Sequence, residues 1–516
     1  MRKEGSTIFC RLKSFYLNGT TPEYLVIEVS SSSRGIPGVH VSGVRGGQTG
    51  NTIRKIRAAF SNSEIGFPNK KITINVLPSN VLRDLSEIEF PISMGIIFTH
   101  ILPIHEVGHI FYGGVDSMGC LISMPKTIFM GELIGRKFAN CGSVEKFFVP
   151  SGSYYFFEKN APVEIYKINS LKDALNFFKG GEFEHSGKIS LPEVCSEKFM
   201  SRSGNGFEGV VGNEHAKRAL TISLAGKHNL LMLGPSGAGK SILAKRCASL
   251  FPVPDERCII DRLKAGALTG RSFEGGCTET PFVAPHITTT EKEMVGSSMA
   301  PGYVTAAHGG LLFLDETHLF STRILNSLKT VIDERGVTFS SERGAQRYPA
   351  DFLLIAAANN CMCGLSGSDD KQCKCGGREI NSYNSRMTPS FLERFDIVTY
   401  VSGSSVEAVM GDVSGGDSDT GEIVSRAVEI QKRRFSSCDI NSNSHIQYKF
   451  INDFCPLDRE AASLLEIAVS RYALSTRSVH RILSVSRTIA DLDGEEKISS
   501  DHVAEAVQYR VKNDKP

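Results

Sequence analysis

The 516-residue sequence has no tryptophan, almost no net charge and no apolar run long enough to cross a bilayer. The absence of tryptophan excludes nothing. A net charge of +2 gives no compositional argument for a nucleic-acid or membrane protein, so any basic surface must be local. The longest uncharged apolar stretch, PISMGIIFTHILPI, is too short to span a membrane. The first residues, MRKEGSTIFCRLKSFYLNGT, lack the apolar core of a secretory signal, so we expect a cytoplasmic protein with no membrane partner.

In a cytoplasmic protein, the 13 cysteines are expected to be reduced thiols or metal ligands rather than disulfides. Four of them follow the pattern C-x-C-x9-C-x-C: Cys361, Cys363, Cys373 and Cys375. Four thiolates separated by a turn-rich spacer can close a tetrahedral Zn²⁺ site, and such a site would be structural because no position is left for water. The C-x-C spacing is tighter than the usual C-x2-C, so four free thiols are the alternative.

The chain divides by pattern into four parts. Residues 1–180 mix strand-like runs with short helices, and the polar, Gly/Ser-rich residues 181–207 are predicted to be a linker. Residues 208–402 alternate strands and helices, which predicts an α/β sheet, and the cysteine segment 361–375 is a candidate zinc insert within it. Residues 403–516 are mainly helical in pattern.

The stretch LLMLGPSGAGKSILAKRCASLF is the most specific motif in the chain. An apolar strand precedes G-x-x-x-x-G-K-S and an amphipathic helix follows it, which is the context that a phosphate-binding P-loop requires. Backbone N–H groups of such a loop surround phosphates, the lysine reaches the β- and γ-phosphates, and the serine hydroxyl binds Mg²⁺. The predicted nucleotide-binding residues are Gly234, Pro235, Ser236, Gly237, Ala238, Gly239, Lys240 and Ser241.

Two later apolar strands end in polar residues that suit ATP hydrolysis. GGLLFLDETHLF places Asp315 to hold Mg²⁺ and Glu316 to polarise the attacking water. DFLLIAAANN ends in Asn359, whose amide can bond the γ-phosphate or the water. An acidic pair after a strand is a weak signal alone and a strong one downstream of a P-loop.

Two arginines are candidates for sensing or stabilising the phosphates of bound ATP. Arg394, in PSFLERFDI, is a candidate arginine finger that reaches into a neighbouring subunit. Arg477, in LSTRSVHRIL, begins a late helix and is a candidate second sensor of nucleotide state. Taken alone, either arginine is better explained by a surface ion pair; together with the other motifs, the functional role is favoured.

These motifs resemble the AAA+ ATPases of the magnesium-chelatase type, and specifically the ComM/YifB competence-protein family. The resemblance covers nearly the whole chain, including PFVAPHITTTEKEMVGSSMAPGYVTAAHGGLLFLDE, AAANNCMCG and LSTRSVHRILSVSRTIADLDG. In residues 1–180, IPGVHVSGVRGGQTGNTIRKIRAAFSNSEIGF and FMGELIGRKF resemble a domain related in fold to the Lon peptidase. The implied fold is an AAA+ core with a C-terminal helical lid and an N-terminal α+β Lon-like domain.

The resemblance implies a hexameric ring that uses ATP and Mg²⁺ to move single-stranded or branched DNA during recombination of DNA taken up in transformation. Each ATP site would combine Arg477 and the strand-tip residues of one subunit with Arg394 of the next. The hairpin VTFSSERGAQRYPADF is expected to carry Arg343 and Arg347 near its tip, and a second insert carries Lys292; solvated loop charges are the alternative to DNA contacts. The chain departs from the family pattern in this region at Val283, Ile287, Tyr303 and THLF, residues 317–320.

Two other functions stay open on the sequence alone. A chaperone-like ATPase that remodels a protein partner, as magnesium-chelatase motor subunits do, is the main alternative. A protease is the second, because IHEVGHIF contains H-E-x-x-H at His105, Glu106 and His109. That motif lacks a downstream third ligand, and nearby Pro103 and several glycines weaken a long helix, so we expect an ordinary loop or short helix there.

Overall fold

The computed structural model describes residues 8–45, 49–82, 85–130, 145–153, 163–181, 206–207, 210, 212–252, 254–270, 280–298, 300–341, 344–367, 372–402, 420–438 and 440–511. Most of the predicted linker and Arg343 lie outside these residues. The chain forms two compact units, Met1–Glu193 with Gly266–Gly275 and Val194–Ala265 with Gly276–Pro516. The boundaries predicted at residues 180, 207 and 402 stay predictions.

The first unit is built on a mixed β-sheet with helices packed against it. Its strands are β1 Ile8–Asn18, β2 Thr21–Ser32, β3 Gly38–Ser42, β4 Lys71–Leu77, β5 Glu106–Phe111, β6 Gly114–Val115, β7 Leu121–Ile122, β8 Glu145–Pro150 and β9 Val163–Ile168. Its helices are α1 Thr49–Asn62, α2 Glu89–His100 and α3 Leu171–Phe178. In the described part, seven strands pair in the order β3-β4-β2-β1-β5-β8-β9, and β6 pairs with β7.

The long apolar stretch of the sequence is the buried helix α2. Every residue from Glu89 to Thr99 is buried. A side chain at Gly95 would place its Cβ 2.5 Å from Val29 Cγ2 and 2.9 Å from Leu12 Cδ1, so the helix backbone packs directly on β1 and β2. The stretch therefore fills the core of this unit.

The H-E-x-x-H motif lies at the start of a strand, so the expectation of a loop or short helix was wrong. β5 begins at Glu106 and pairs in parallel with β1 and β8. His105 Nδ1 lies 3.0 Å from the Phe9 carbonyl oxygen, and the His109 ring lies 5.7 Å from the Phe148 ring. Because strand residues four apart are separated by about 13 Å, the two histidines cannot share one zinc ion as they would on a helix.

The second unit contains a parallel sheet with two β-hairpins beside it. Its strands are β10 Leu230–Leu233, β11 Phe282–Val283, β12 Gly296–Ser297, β13 Ala300–Pro301, β14 Leu311–Leu314, β15 Gly336–Ser341, β16 Gly344–Pro349, β17 Leu353–Ala358 and β18 Ile397–Tyr400. Five of them pair in parallel in the order β11-β14-β17-β10-β18. β14 and β17 are buried along their whole length, as expected for a parallel sheet covered on both faces.

Helices surround this sheet and make up most of the C-terminal part. They are α4 Glu214–Gly226, α5 Lys240–Ser249, α6 Glu256–Thr269, α7 Glu291–Val295, α8 Tyr303–Ala306, α9 Thr322–Glu334, α10 Gly377–Asn384, α11 Pro389–Leu392, α12 Thr420–Arg434, α13 Ile451–Phe454, α14 Arg459–Tyr472, α15 Thr476–Asp493 and α16 Ser500–Val511. Ile482 and Ile489 of α15 and Val503 of α16 share one apolar core with Leu230 and Ile355 of the sheet. Within the described ranges, no helix is both long and apolar enough to cross a membrane.

Candidate nucleotide-binding site

The P-loop and the polar strand ends meet at one edge of the second sheet. β14, β17 and β10 are adjacent and parallel, so the residues that follow them lie side by side. Asp315 follows β14, Asn359 follows β17, and Gly234 opens the loop between β10 and α5. Ligands of open parallel sheets bind at this carboxyl edge, which is therefore the candidate nucleotide site.

Lys240 is held inside the loop by three oxygen acceptors. Its Nζ donates to the carbonyl oxygens of Gly234 and Pro235, each at 2.8 Å, and to Asn359 Oδ1 at 3.0 Å. Burial lowers the pKa of Lys240, while the charges of Asp315 and Glu316 act to raise it. Carbonyl groups solvate an ammonium without neutralising it, so an incoming phosphate would supply the counter-charge that Lys240 lacks.

The loop glycines leave space for a ligand to approach the backbone. Gly237 and Gly239 have φ angles of +82° and +85°, a conformation that favours glycine. A Cβ added at either position would meet no atom within 4 Å. This open surface at the start of α5 fits the phosphates of a nucleotide, which helix N-terminal amides favour.

Ser241, Asp315 and Glu316 form the acidic side of the site. Ser241 Oγ donates to Asp315 Oδ2 at 2.6 Å, and the backbone N–H of Glu316 donates to Asp315 Oδ1 at 3.0 Å. A hydroxyl beside a carboxylate is the hard oxygen donor set that Mg²⁺ prefers, so these residues fit the ion. Glu316 has a φ of +47°, a left-handed conformation that is strained for a glutamate.

The four predicted cysteines come together on the loop after Asn359. Their sulfur atoms all lie within 4.8 Å of one another. The distances from Cys361 Sγ to the sulfurs of Cys363 and Cys373 are 3.3 and 3.6 Å. Four sulfurs around a tetrahedral zinc ion would be about 3.8 Å apart, so the cluster fits zinc. A hydrogen bond from the backbone of Leu365, with further ones from Cys361 and Cys375, lowers the pKa of Cys363 to about 6.

The cysteine loop also contacts the P-loop directly. The backbone N–H of Ser236 donates to the Gly364 carbonyl oxygen at 2.8 Å. Gly364 has a φ of +73°, and a Cβ there would lie 3.0 Å from the Ser236 Cβ. The loop therefore braces the P-loop, a contact that no residue pattern in the sequence indicates.

His318 and Tyr383 border the site and were missed as functional candidates. Their rings stack with centroids 4.0 Å apart. Burial lowers the pKa of His318 to about 4, so this imidazole is neutral at pH 7. Burial raises the pKa of Tyr383, and the charges of Glu316 and Cys361 raise it further. The signal for His318 was its place in THLF, where the sequence departs from the family pattern.

Both candidate arginines lie at the opposite, amino edge of the sheet. Arg394 precedes β18, and Leu230 at the start of β10 pairs with Ile397 at the start of β18. Arg477 Nη2 lies 3.7 Å from Asp333 Oδ1, and Arg394 Nη2 donates to Asp333 Oδ2 at 2.5 Å. The four-residue strand β10 separates this edge from Lys240 by about 13 Å.

The expectation that Arg477 joins the P-loop of its own chain is therefore not met in this structure. Arg481, one helical turn after Arg477, forms an ion pair with Asp396 just before β18, which fixes the start of α15 at the amino edge. Sequence order gave no information on which edge of the sheet this helix meets.

Of the DNA-contact candidates, Lys292 and Arg347 are described and exposed. Lys292 lies on the short helix α7 beside the β12–β13 hairpin. Arg347 pairs with Thr338 in the β15–β16 hairpin, and its Nη2 donates to the Glu334 carbonyl oxygen at 3.0 Å. It thus lies toward the base of the hairpin, so its predicted place near the tip was wrong; Arg343 is outside the described residues.

A P-loop on a buried parallel sheet, with an acidic pair at the end of another strand of that sheet, defines a P-loop ATPase core. The family described as "Magnesium chelatase, subunit ChlI" matches residues 206–409. Its C-terminal counterpart matches residues 418–510, and "Subunit ChlI of Mg-chelatase" matches residues 27–137. The class is therefore the AAA+ ATPases of the magnesium-chelatase type, which use ATP and Mg²⁺.

Known relatives extend the similarity over the whole chain. "Competence protein ComM" of Haemophilus influenzae is 30% identical over 515 residues, covering 96% of each chain. "Uncharacterized protein YifB" of Escherichia coli is 28% identical, covering 96% of this chain and 95% of its own. "Lon protease 2" of Bacillus subtilis is 28% identical over 197 residues, which is 33% of this chain and 35% of that one. The chain belongs to the ComM/YifB family of magnesium-chelatase-like AAA+ ATPases.

Proposed function

We propose that this protein is an ATP-driven ring motor that moves single-stranded or branched DNA during recombination of DNA taken up by the cell. The ring is proposed because Arg394 and Arg477 lie at the edge of the sheet opposite Lys240. Arginines that cannot reach their own P-loop suit the ATP of a neighbouring subunit. The DNA substrate is proposed from the similarity to a competence protein, and six subunits from the family resemblance; the cytoplasmic location stays a prediction.

The residues at the carboxyl edge of the sheet would have separate roles in ATP hydrolysis. Lys240 would exchange its bond to Asn359 Oδ1 for the β- and γ-phosphates. The freed Oδ1 could then accept a hydrogen bond from the water, and Asn359 Nδ2 could donate one to the γ-phosphate. Ser241 and Asp315 would hold Mg²⁺, which neutralises charge on the phosphates. Glu316 would orient the attacking water, and its left-handed backbone directs its side chain differently from that of Asp315.

The neighbouring subunit would complete the site with two cations. Arg394 would stabilise charge that develops on the transferred phosphoryl group, as arginine fingers do. Arg477 would come from the same neighbour, in contrast to the arrangement expected from the sequence. Hydrolysis at each interface would then move the inserts of adjacent subunits relative to each other.

The inserts are the proposed DNA contacts. The β15–β16 hairpin, including Arg343, and the α7 insert with Lys292 would line the ring opening. Phosphate contacts by these cations would make the affinity for DNA fall with salt. Arg347 is the weakest of the three candidates, because its guanidinium already donates to the end of α9.

Two further features belong to this proposal. The first unit is proposed to have a Lon-peptidase-related fold, as the family resemblance of its sequence implies. The four-cysteine cluster is proposed to hold a structural zinc ion that fixes the loop against Ser236.

The proposal is tested by ATP hydrolysis of the purified protein without DNA and with single-stranded, duplex and four-way-junction DNA. We expect stimulation, greatest with branched DNA and weaker as salt rises. Lys240→Ala should abolish hydrolysis, and Glu316→Gln should bind ATP without turnover. If none of these DNAs changes the rate of ATP hydrolysis, the DNA motor is refuted and a motor that remodels a protein partner is favoured.

A further inference from the structure

Asp333, near the C-terminal end of α9, contacts both arginines at once. One carboxylate oxygen accepts a hydrogen bond from Arg394 Nη2 at 2.5 Å, and the other lies 3.7 Å from Arg477 Nη2. The two arginines come from distant segments, the turn before β18 and the start of α15. A single carboxylate therefore joins an arginine of the core to an arginine of the C-terminal helices.

The backbone beneath this pair is firmly held. Arg394 Nη1 donates to the Ser390 carbonyl oxygen at 2.8 Å, and Arg510 Nη1 donates to the Phe395 carbonyl oxygen at 2.7 Å. Arg481 forms an ion pair with Asp396. The bond to Ser390 holds the Arg394 guanidinium, the contacts of Arg510 and Arg481 hold the chain beside it, and Asp333 links this guanidinium to that of Arg477.

Both guanidinium groups remain within reach of a ligand. The side chain of Arg394 is 14% exposed and that of Arg477 is 37% exposed, while Asp333 itself is 44% exposed. Burial, and after it the nearby charges of Arg510 and Arg394, lowers the pKa of Arg481 to about 10, so this buried arginine lies close to further cations. A carboxylate among these cations reduces their mutual repulsion and leaves them available to an anion.

We propose that Asp333 is a positioning residue that sets Arg394 and Arg477 in one orientation toward the phosphates bound by the neighbouring subunit. This role rests on the proposed trans arrangement. Long arginine side chains lose considerable rotamer freedom when they bind, and a shared carboxylate removes much of that freedom beforehand. The benefit would appear in the chemical step more than in the binding of ATP, which the P-loop supplies.

The first test compares single variants at Asp333 with a matched control on the same helix. Asp333→Asn should lower kcat for ATP about tenfold or more with little change in KM, because misplaced arginines lose transition-state contacts. Asp333→Glu should recover part of kcat. Glu334→Gln removes the same charge one residue later, from an exposed side chain, and should behave as wild type. Wild-type kcat in Asp333→Asn would overturn the role.

The second test uses mixed rings, which separate this role from a general folding defect. An Asp333→Ala chain keeps its P-loop, and a Lys240→Ala chain keeps its arginines, so mixing these two impaired proteins should restore part of the activity. Asp333→Ala mixed with Arg394→Ala should gain no activity over the two proteins measured separately, because both are defective in the same half of the site. ATP binding by Asp333→Ala, measured by calorimetry, should match wild type and show that the chain folds.

The mixture of Arg394→Ala with Lys240→Ala distinguishes the two possible failures. If that mixture recovers activity and the Asp333→Ala mixture does not, the trans site stands and the role of Asp333 is refuted. If the Arg394→Ala mixture recovers no ATPase activity at any ratio, the trans arrangement is refuted, and with it the proposed role of Asp333.

Discussion

At the scale of single residues, the four clustered sulfurs allow a direct test of metal binding. We expect metal analysis of the purified protein to find about one zinc ion per chain, because four thiolates at these distances complete a tetrahedral shell. Replacing Cys361 and Cys373 together by serine should remove it, since two ligands cannot hold the ion. Cys438→Ser, at a free cysteine outside the cluster, is the control and should retain zinc. Zinc retained by the double variant would place the ion elsewhere in the chain.

The residues that the sequence could predict are those whose position follows from a strand end. Lys240, Asp315 and Asn359 each follow an apolar strand, and adjacent parallel strands bring their ends together. Arg477 does not follow a strand, so its position depends on which edge of the sheet α15 contacts. Asp333 was not predicted at all, since an acidic residue near the end of a surface helix looks like any solvated charge.

At the scale of elements, the contact between the cysteine loop and the P-loop predicts a difference between two glycines. Gly364 and Gly367 both have positive φ angles, +73° and +83°, so alanine at either should cost roughly 1–2 kcal/mol in strain. A Cβ at Gly364 would press on Ser236 at 3.0 Å, whereas one at Gly367 would meet only Asn360, at 3.2 Å. We therefore expect Gly364→Ala to weaken ATP binding about tenfold and Gly367→Ala to leave it nearly unchanged.

Calorimetric titration of ATP into both glycine variants provides the measurement, with unfolding midpoints as the control for strain. Equal ATP affinities in the two variants would mean that the loop does not brace the P-loop. Similar unfolding midpoints together with different affinities would assign the effect to the contact with Ser236 rather than to general destabilisation.

Sequence patterns predicted the type of most elements more reliably than the placement of side chains upon them. The strands of the second sheet and the C-terminal helices follow from apolar runs and helical periodicity. H-E-x-x-H was assigned to a loop or short helix because its glycines and the nearby proline were given more weight than Val107, Ile110 and Phe111. Those apolar residues allow β5 to pair between two strands. Pairing between distant strands is a tertiary effect that local patterns do not contain.

At the scale of the whole second unit, the sheet and the C-terminal helices are joined through buried neutral histidines. A cavity of about 370 Å³ separates the amino edge of the sheet from these helices, and His228 and His445 line it. His228 Nε2 lies 2.7 Å from Thr488 Oγ1 of α15, and His445 Nε2 lies 3.6 Å from Asp351 Oδ1. Burial lowers the pKa of each histidine to about 3, and for His228 the charge of nearby Arg481 is part of that lowering.

This arrangement predicts that the unit loses stability as the pH falls below about 6.5, the pKa of histidine in an unfolded chain. Between pH 6.5 and pH 3 the two histidines bind protons in the unfolded chain but stay neutral in the folded unit. This difference favours unfolding by roughly 2 kcal/mol per histidine at pH 5. The pKa of Asp351 is lowered to about 2 in the folded unit, so the stability that this carboxylate contributes is present above about pH 4 and is lost only as the pH falls toward 2.

His445→Asn should therefore reduce the loss of unfolding free energy between pH 7.5 and pH 5, because one of the buried imidazoles is gone. Urea unfolding at a series of pH values, followed by circular dichroism, measures the slope. The exposed His286→Asn is the control and should keep the wild-type slope, because it leaves both cavity-lining imidazoles in place. If His445→Asn shows the same pH dependence as wild type, a neutral histidine at position 445 does not contribute to the pH dependence of the stability of this unit.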